Sequence, residues 1–114
     1  MTFDDGIVRL YTITDQAQPG KKPIKGLTLR ESFYFGFETL GINRYYTALQ
    51  AGDQIESVIS IPGWQAISAA QTVAIMEDGL QYKIVLAQPT TDEDGLRITR
   101  LSLERLGDEY VVLP

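Results

Sequence analysis

The residue types that most often carry catalysis or bind metals are missing from this chain. Its 114 residues include no histidine and no cysteine, which removes the commonest general base, the commonest transition-metal ligand and any thiolate nucleophile. The acidic pairs Asp4-Asp5 and Asp108-Glu109 are each adjacent in sequence, and neither lies in a recognisable nucleophile or acid–base frame. We therefore predict that the protein is not an enzyme and that it uses no cofactor and no metal.

Two charged segments share features with ligand-binding loops but lack the complete patterns. Residues 15–26 contain Pro-Gly-Lys-Lys without the G-x-x-x-x-G-K-[ST] frame of a phosphate-binding loop, so they are predicted to form a solvated loop. Asp92, Glu93 and Asp94 supply only part of a calcium-ligand series and are predicted to form a solvated turn.

The composition narrows the classes of partner. A formal net charge of −5 disfavours an electrostatic grip on nucleic-acid phosphates, which depends on clustered lysine and arginine. No apolar run approaches the roughly 18 residues that span a bilayer, and the N-terminal MTFDDG lacks the basic and apolar regions of a signal peptide. These features predict a soluble protein made in a cytoplasm.

Most of the chain has the apolar alternation of β-strands. Period-two patterns and clusters of β-branched or aromatic residues predict strands at 7–14, 27–38, 54–61, 72–76, 80–88 and 96–106. Glu77-Asp78-Gly79 predicts a tight hairpin turn between two of these strands. In the last strand the apolar parity changes near Thr99-Arg100, which predicts a β-bulge there.

One segment departs from the strand pattern. Within residues 40–54 the apolar positions follow the i, i+3, i+4, i+7 spacing of one helix face, and Gly52 follows as a stop signal. The members of this stripe are Ile42, Tyr45, Tyr46 and Leu49. The spacing predicts one short amphipathic α-helix in an otherwise all-β chain.

Together these elements predict a mainly β fold in one domain, residues 1–114. We expect a small, partly open β-barrel, similar to an OB-fold, or a sandwich of five to six strands with the α-helix inserted between strands 2 and 3. Residues 107–114 are predicted to form a C-terminal tail.

Five motifs, in their order, resemble those of a protein family. They are an aromatic-rich strand end before Gly41, G-x-N-R-Y-Y-x-A at 41–48, a strand entering Ile61-Pro62, D-G-x-x-Y-x-I at 78–84, and DEDGL-x-x-T-x-L-x-L-x-R-L at 92–106. Together they resemble bacteriophage head-tail connector proteins, specifically the head closure (head-tail adaptor, or stopper) family of Gram-positive siphophages and prophages.

The resemblance implies a structural virion protein of the phage neck. Such a protein is monomeric alone and forms a ring, usually of twelve copies, under the portal or adaptor. There it closes the DNA-filled capsid and provides the docking surface for the tail. Its expected partners are the adaptor or portal ring, a tail completion or tail tube protein, and packaged DNA that passes through without sequence-specific binding. It would be located at the head-tail joint of the virion and would not bind membranes.

The candidate contact residues fall into three groups. The resemblance places residues 40–54 at the channel or ring interface, with Ile42, Arg44, Tyr45, Tyr46 and Leu49 as the candidates. Packing of this stripe on its own subunit is the equal alternative. Lys21, Lys22, Lys25 and Trp64, together with the C-terminal tail, are candidates for contact with partners, because loops at barrel ends often meet neighbours. For Trp64, which follows the Pro62-Gly63 turn, a partly buried cap on the barrel end is the favoured alternative. Asp92, Glu93 and Asp94 are candidates for a lumen wall that repels DNA phosphates.

Two other functional classes remain open at the level of sequence. The first is a tail completion or tail terminator protein of the same joint. The second is a small OB-like nucleic-acid-binding module, for which Phe33, Tyr34, Phe35 and Phe37 supply rings but no basic groove.

Overall fold

The structure is a computed structural model that describes residues 3–15, 25–38 and 57–113. Every regular element in these ranges is a β-strand. The strands are β1 (Gly6–Asp15), β2 (Lys25–Glu38), β3 (Ser57–Pro62), β4 (Thr72–Ile75), β5 (Gln81–Thr91), β6 (Arg97–Arg105) and β7 (Val111–Val112).

Six of these strands form one closed barrel. Their order is β1-β4-β5-β6-β3-β2, and β2 returns to pair with β1. Each of these six pairings is antiparallel. Closure gives each of the six strands a neighbour on both edges over part of its length.

This architecture corrects the predicted fold class. A partly open, OB-like barrel or a sandwich with one inserted α-helix was expected, but the barrel is closed and the described ranges contain no helix. Residues 40–54, where the helix was predicted, lie outside the described ranges. Alternation identifies strands but not their partners, and closure depends on a non-local pairing of Gly36 with Ser60. A stripe of about three turns is also weak grounds for a helix, since helices of that length are marginal in isolation.

The barrel interior contains the main hydrophobic core. All six barrel strands, with Met76 just after β4, contribute its fully or nearly fully buried members, which are Val8, Leu10, Phe35, Ile59, Ile61, Ala74, Met76, Tyr82, Ile84, Leu101 and Leu103. The alternation of the sequence accounts for this set, because every second side chain of a barrel strand points inward. The predicted hairpin is confirmed, since β4 and β5 pair across Asp78-Gly79 and Gly79 has a φ of 78°.

A bulge in β2 divides the long β1–β2 hairpin. The pairing register passes from Leu10 opposite Glu31 to Tyr11 opposite Leu29, so Arg30 is the extra residue. The bulge changes which parity points inward. In β2, Phe35 therefore lies in the main core, whereas Leu27, of the same parity, belongs to a second, outer cluster with Tyr11 and Val73.

The bulge predicted near Thr99-Arg100 is wrong. β6 pairs without a register shift along β3, and the shift in its pairing with β5 lies at Ile84/Leu86. The parity change arises because β6 buries residues on both faces. Thr99 and Leu101 share one face, while Ile98 is fully buried on the other. Within the described ranges, no helix is long and apolar enough to cross a membrane.

Candidate assembly surfaces

The outer edge of β2 is one of two long gaps in the pairing of the barrel within the described ranges; the other lies on β5, which pairs with β4 only at residues 81–83. One edge of β2 pairs with β1, whereas the other pairs only with β7 at Gly26–Leu27 and with β3 at Gly36–Glu38. Within the described ranges, no strand pairs with the outer edge over residues 28–35. An open edge of this kind can accept a strand from another chain.

Hydrogen bonds show which backbone groups face this open edge. The Asp5 N–H donates to Phe35 O over 3.1 Å, and the Phe37 N–H donates to the Asp5 carboxylate over 2.8 Å, so both phenylalanines present their backbone groups to the β1 side. Backbone groups of successive residues point to opposite edges of a strand. The N–H and C=O groups of Ser32 and Tyr34 therefore point to the open edge.

Exposed apolar side chains lie along the same strand. Leu29 is 53 % exposed, Tyr34 64 % and Phe37 55 %. Phe37 packs edge-on against the buried Phe35, with ring centroids 5.1 Å apart. Large apolar side chains beside an open edge are a combination that a second chain can bury.

An ion pair fixes the C-terminal end of β2 against β6. Arg100 of β6 binds Glu38 with two nitrogens, with its Nε on one carboxylate oxygen and its Nη2 3.1 Å from the other. Both side chains are mostly buried, at 29 % and 18 % exposure. A two-point contact between a planar guanidinium and a carboxylate fixes orientation as well as distance. It therefore fixes the position of Glu38, the last residue of β2.

Trp64 lies on a rigid corner after β3. Its indole N–H donates to Thr90 O over 2.8 Å, and the Arg97 guanidinium lies over the ring at 4.4 Å from its centroid. The buried Thr99 hydroxyl holds the preceding turn, because it donates to Gly63 O and accepts from the Gln65 N–H, both at 2.8 Å. Trp64 remains 53 % exposed, so the corner presents an oriented aromatic and cationic surface to solvent.

The acidic turn between β5 and β6 lies in sequence between Thr90 and Arg97, the two residues that contact Trp64. Asp92 caps the turn by accepting hydrogen bonds from the N–H groups of Asp94 at 2.9 Å and Leu96 at 2.8 Å. Partial desolvation acts to raise the pKa of Asp92, but interactions that include these two backbone hydrogen bonds outweigh it and lower the pKa from 3.8. The two backbone hydrogen bonds of the turn favour the ionised form of Asp92, and Glu93 and Asp94 are exposed beside it.

The C-terminal segment folds back over the outer cluster. We call residues 106–113 the C-terminal strap. The Gln81 side-chain amide donates to Tyr110 O and accepts from the Tyr110 N–H, both at 2.8 Å. Farther along, β7 pairs in parallel with β2, and the Leu113 N–H donates to Leu27 O over 2.8 Å. Leu106 and Tyr110 thereby pack against the outer cluster.

A groove of about 390 Å³ lies beside the strap. Its walls include Ile13, Val73, Leu106 and Tyr110, and Lys83 contributes to its lining. Lys83 also forms an ion pair of 3.2 Å with Glu104. The groove is thus an extension of the outer cluster that the strap leaves partly uncovered.

The structure places only part of the predicted contact set. Trp64 is exposed as a contact residue would be, and Asp92, Glu93 and Asp94 lie together on one turn. The channel and ring-interface candidates lie outside the described residues, as do Lys21 and Lys22, and for Lys25 only the backbone, at the start of β2, is described. The roles of these residues therefore stay predictions.

Sequence reasoning missed the residues that organise these surfaces. Glu38 and Arg100 are 62 positions apart, and no local pattern links them. Gln81 falls within the predicted strand at 80–88, where no sequence pattern marks it as a partner of the C-terminal segment. A signal for the strap did exist, since Tyr110, Val111, Val112 and Leu113 form an apolar run within the predicted tail.

The described residues define a small all-β barrel with an open strand edge along β2 and a two-residue terminal strand that pairs with the start of β2. No group of three or more potential metal ligands occurs in the part of the chain that the structure describes. Comparison of the sequence with models of known protein families finds no match, and comparison with curated proteins finds none either.

Proposed function

We propose that this protein is a structural subunit of a phage neck, which assembles into a ring under the portal or adaptor, closes the DNA-filled capsid and receives the tail. The phage assignment rests on the order of the five sequence motifs. The assembly role rests on one structural observation, the outer edge of β2, with which no strand of the described ranges pairs over residues 28–35.

The edge supports assembly because it offers both backbone and apolar contacts. Ser32 and Tyr34 direct backbone groups to an edge that no strand of the described ranges pairs with, and Leu29, Tyr34 and Phe37 expose large side chains on the same strand. A contact between this edge of one copy and a different surface of the next copy is head-to-tail. Such contacts form a closed ring when the rotations from copy to copy add up to a full turn. Repetition around a ring multiplies a contact that is weak in one pair.

The corner at Trp64 and the acidic turn support contacts above or below such a ring. The indole and the Arg97 guanidinium form one surface, and Glu93 and Asp94 form another of opposite charge. Neighbouring rings of complementary charge would be oriented by these patches.

The first test is electron microscopy of a lysate from a phage with an early stop codon in this gene. We expect capsids that have lost their DNA beside complete, unattached tails. Filled, stable heads beside missing or malformed tails would assign the protein to the tail side of the joint, as a completion or terminator protein. Normal virions would contradict the structural role.

The second test supplies variants of the protein to the same mutant phage. Ser32→Pro removes one backbone N–H at the open edge without removing a hydrogen bond of the β1–β2 ladder. We expect this variant to fold but to leave the capsids empty, whereas Ser32→Ala restores infectious particles. Full complementation by Ser32→Pro, with a folded protein confirmed by circular dichroism, would exclude this edge as a subunit contact.

A further inference from the structure

The C-terminal strap has the features of an exchangeable strand. β7 contains only Val111 and Val112, which are 64 % and 45 % exposed, and it pairs with the very end of β2. Further hydrogen bonds of the strap join Gln81 to Tyr110 and Glu109, and the Leu113 N–H to Leu27 O. These bonds and the packing of the strap on the outer cluster would have to break in one copy, and the same contacts would form again in the next.

The surface under the strap, in contrast, needs a cover. Tyr11, Leu27 and Val73 lie on the outer face of the barrel and are buried to 9 % exposure or less. Gly26 is matched to the strap as well, since a Cβ at this position would lie 2.7 Å from the Leu113 side chain. The fit in one chain shows that a strap of this sequence is complementary to this surface, whichever copy supplies it.

We propose that neighbouring copies of this protein exchange their C-terminal straps, so that the strap of one copy pairs with β2 and covers the outer cluster of the next. This inference rests on the proposed self-assembly and names its connecting segment. Released from Gln81, the seven residues 107–113 span about 23 Å at roughly 3.3 Å per residue, which is enough to reach an adjoining barrel. Exchange reuses contacts that already exist and makes each link head-to-tail.

A hinge deletion tests the exchange in solution. The Leu106 N–H donates to Gln81 O, and the Glu109 carboxylate accepts from the Gln81 N–H, so residues 107 and 108 form the turn that lets the strap fold back. Deletion of Gly107 and Asp108 should prevent closure within one chain and drive exchange. We expect size-exclusion chromatography with light scattering to give twice the 12.7 kDa monomer mass or more.

Deletion of residues 107–113 is the matched control, because it uncovers the same cluster without providing a strap. This control should stay monomeric. A monomeric hinge-deletion variant would overturn the proposal. Equal oligomerisation of the two variants would also overturn it, because the exposed cluster rather than the strap would then join the copies.

Cross-linking tests the pairing itself. The register of Gly26 with Val111 and Leu27 with Val112 places Thr28 beside Leu113, and the chain has no native cysteine to interfere. We would mix the single variants Thr28→Cys and Leu113→Cys at high concentration, oxidise them and resolve the products under non-reducing conditions. Exchange should give roughly tenfold more heterodimer than the pair Glu93→Cys and Leu113→Cys, because pairing raises the effective concentration of the two thiols. Equal yields would overturn the exchange.

The outcomes separate this inference from the proposed function. Empty capsids in the stop-codon lysate, combined with monomeric hinge-deletion protein, would leave the neck role standing and remove strap exchange. Normal virions, combined with the cross-linked heterodimer, would retain exchange and remove the neck role.

Discussion

At the scale of single residues, the ion pair of Glu38 and Arg100 is the contact on which the end of β2 depends. The pair is largely buried, so removal of one partner leaves a poorly solvated charge. We expect Arg100→Ala to lower the free energy of unfolding by about 1–3 kcal/mol in urea titrations. A double-mutant cycle with Glu38→Ala should give a coupling energy of at least about 1 kcal/mol.

Lys83 and Glu104 provide the comparison for this prediction. The Lys83 side chain is 47 % exposed, so solvent screens the pair and its coupling should be about 0–1 kcal/mol. Equal coupling in the two cycles would show that the Glu38 pair does not fix the strand end.

A second residue-scale prediction concerns the close approach of Gly26 and Leu113. Any side chain at position 26 would collide with the leucine, so Gly26→Val should lower the unfolding free energy by about 1–3 kcal/mol through overpacking. Leu113→Ala in the same chain should recover most of that loss. If the double variant is as unstable as the sum of the single variants, the collision is not the cause.

A third prediction concerns the acidic turn. Because the folded pKa of Asp92 lies below 3.8, its carboxylate contributes stability above the unfolded pKa and loses that contribution as the pH falls through the folded pKa. An NMR titration should give a midpoint for Asp92 below 3.8. Asp92→Asn should flatten the pH dependence of stability in this acidic range only. A normal midpoint for Asp92 would contradict the capping role.

At the scale of elements, the strap is predicted to contribute substantially to stability. Deletion of residues 107–113 uncovers much of the outer cluster, and each fully buried apolar side chain contributes about 1.5–3 kcal/mol. We expect the deletion to lower the unfolding free energy by about 2–4 kcal/mol and to raise binding of a hydrophobic dye. Unchanged stability would mean that the strap does not cover the cluster in solution.

The individual strands were readable from sequence, but their assembly was not. Alternation and the Asp78-Gly79 turn located β4 and β5 within a few residues, because a tight turn and a two-residue period are local properties. Closure of the barrel, the bulge at Arg30 and the buried second face at Ile98 depend on contacts between distant strands. They have no local signature, which is why the open-barrel prediction and the predicted bulge in β6 were wrong.

The candidate surfaces also differ in whether a local sequence pattern marks them. Trp64 could be chosen as a candidate from sequence because it follows a Pro-Gly turn, and it is exposed in the structure, but its contact role stays a prediction. The open edge of β2 was not, because an edge is defined by the absence of a neighbour and not by the residues of the strand. Gln81 was missed because its role depends on a strap that returns from 29 positions along the chain.

At the scale of the whole molecule, the distribution of charge distinguishes the proposed function from a nucleic-acid-binding module. The net charge of −5 should keep the dissociation constant for single-stranded DNA weaker than about 10⁻⁴ M in fluorescence anisotropy at 50 mM salt. The double reversal Glu93→Lys with Asp94→Lys replaces one negative charge by one positive charge at each position, which moves the net charge from −5 to −1. If this turn faces DNA in a ring, the variant should fold normally but slow the release of DNA from complemented particles, and the delay should shrink as salt rises. Tight, salt-sensitive binding of single-stranded DNA by the unmodified protein would instead favour the nucleic-acid-binding module. Unchanged DNA release from particles that carry the variant would show that the acidic turn does not line the channel.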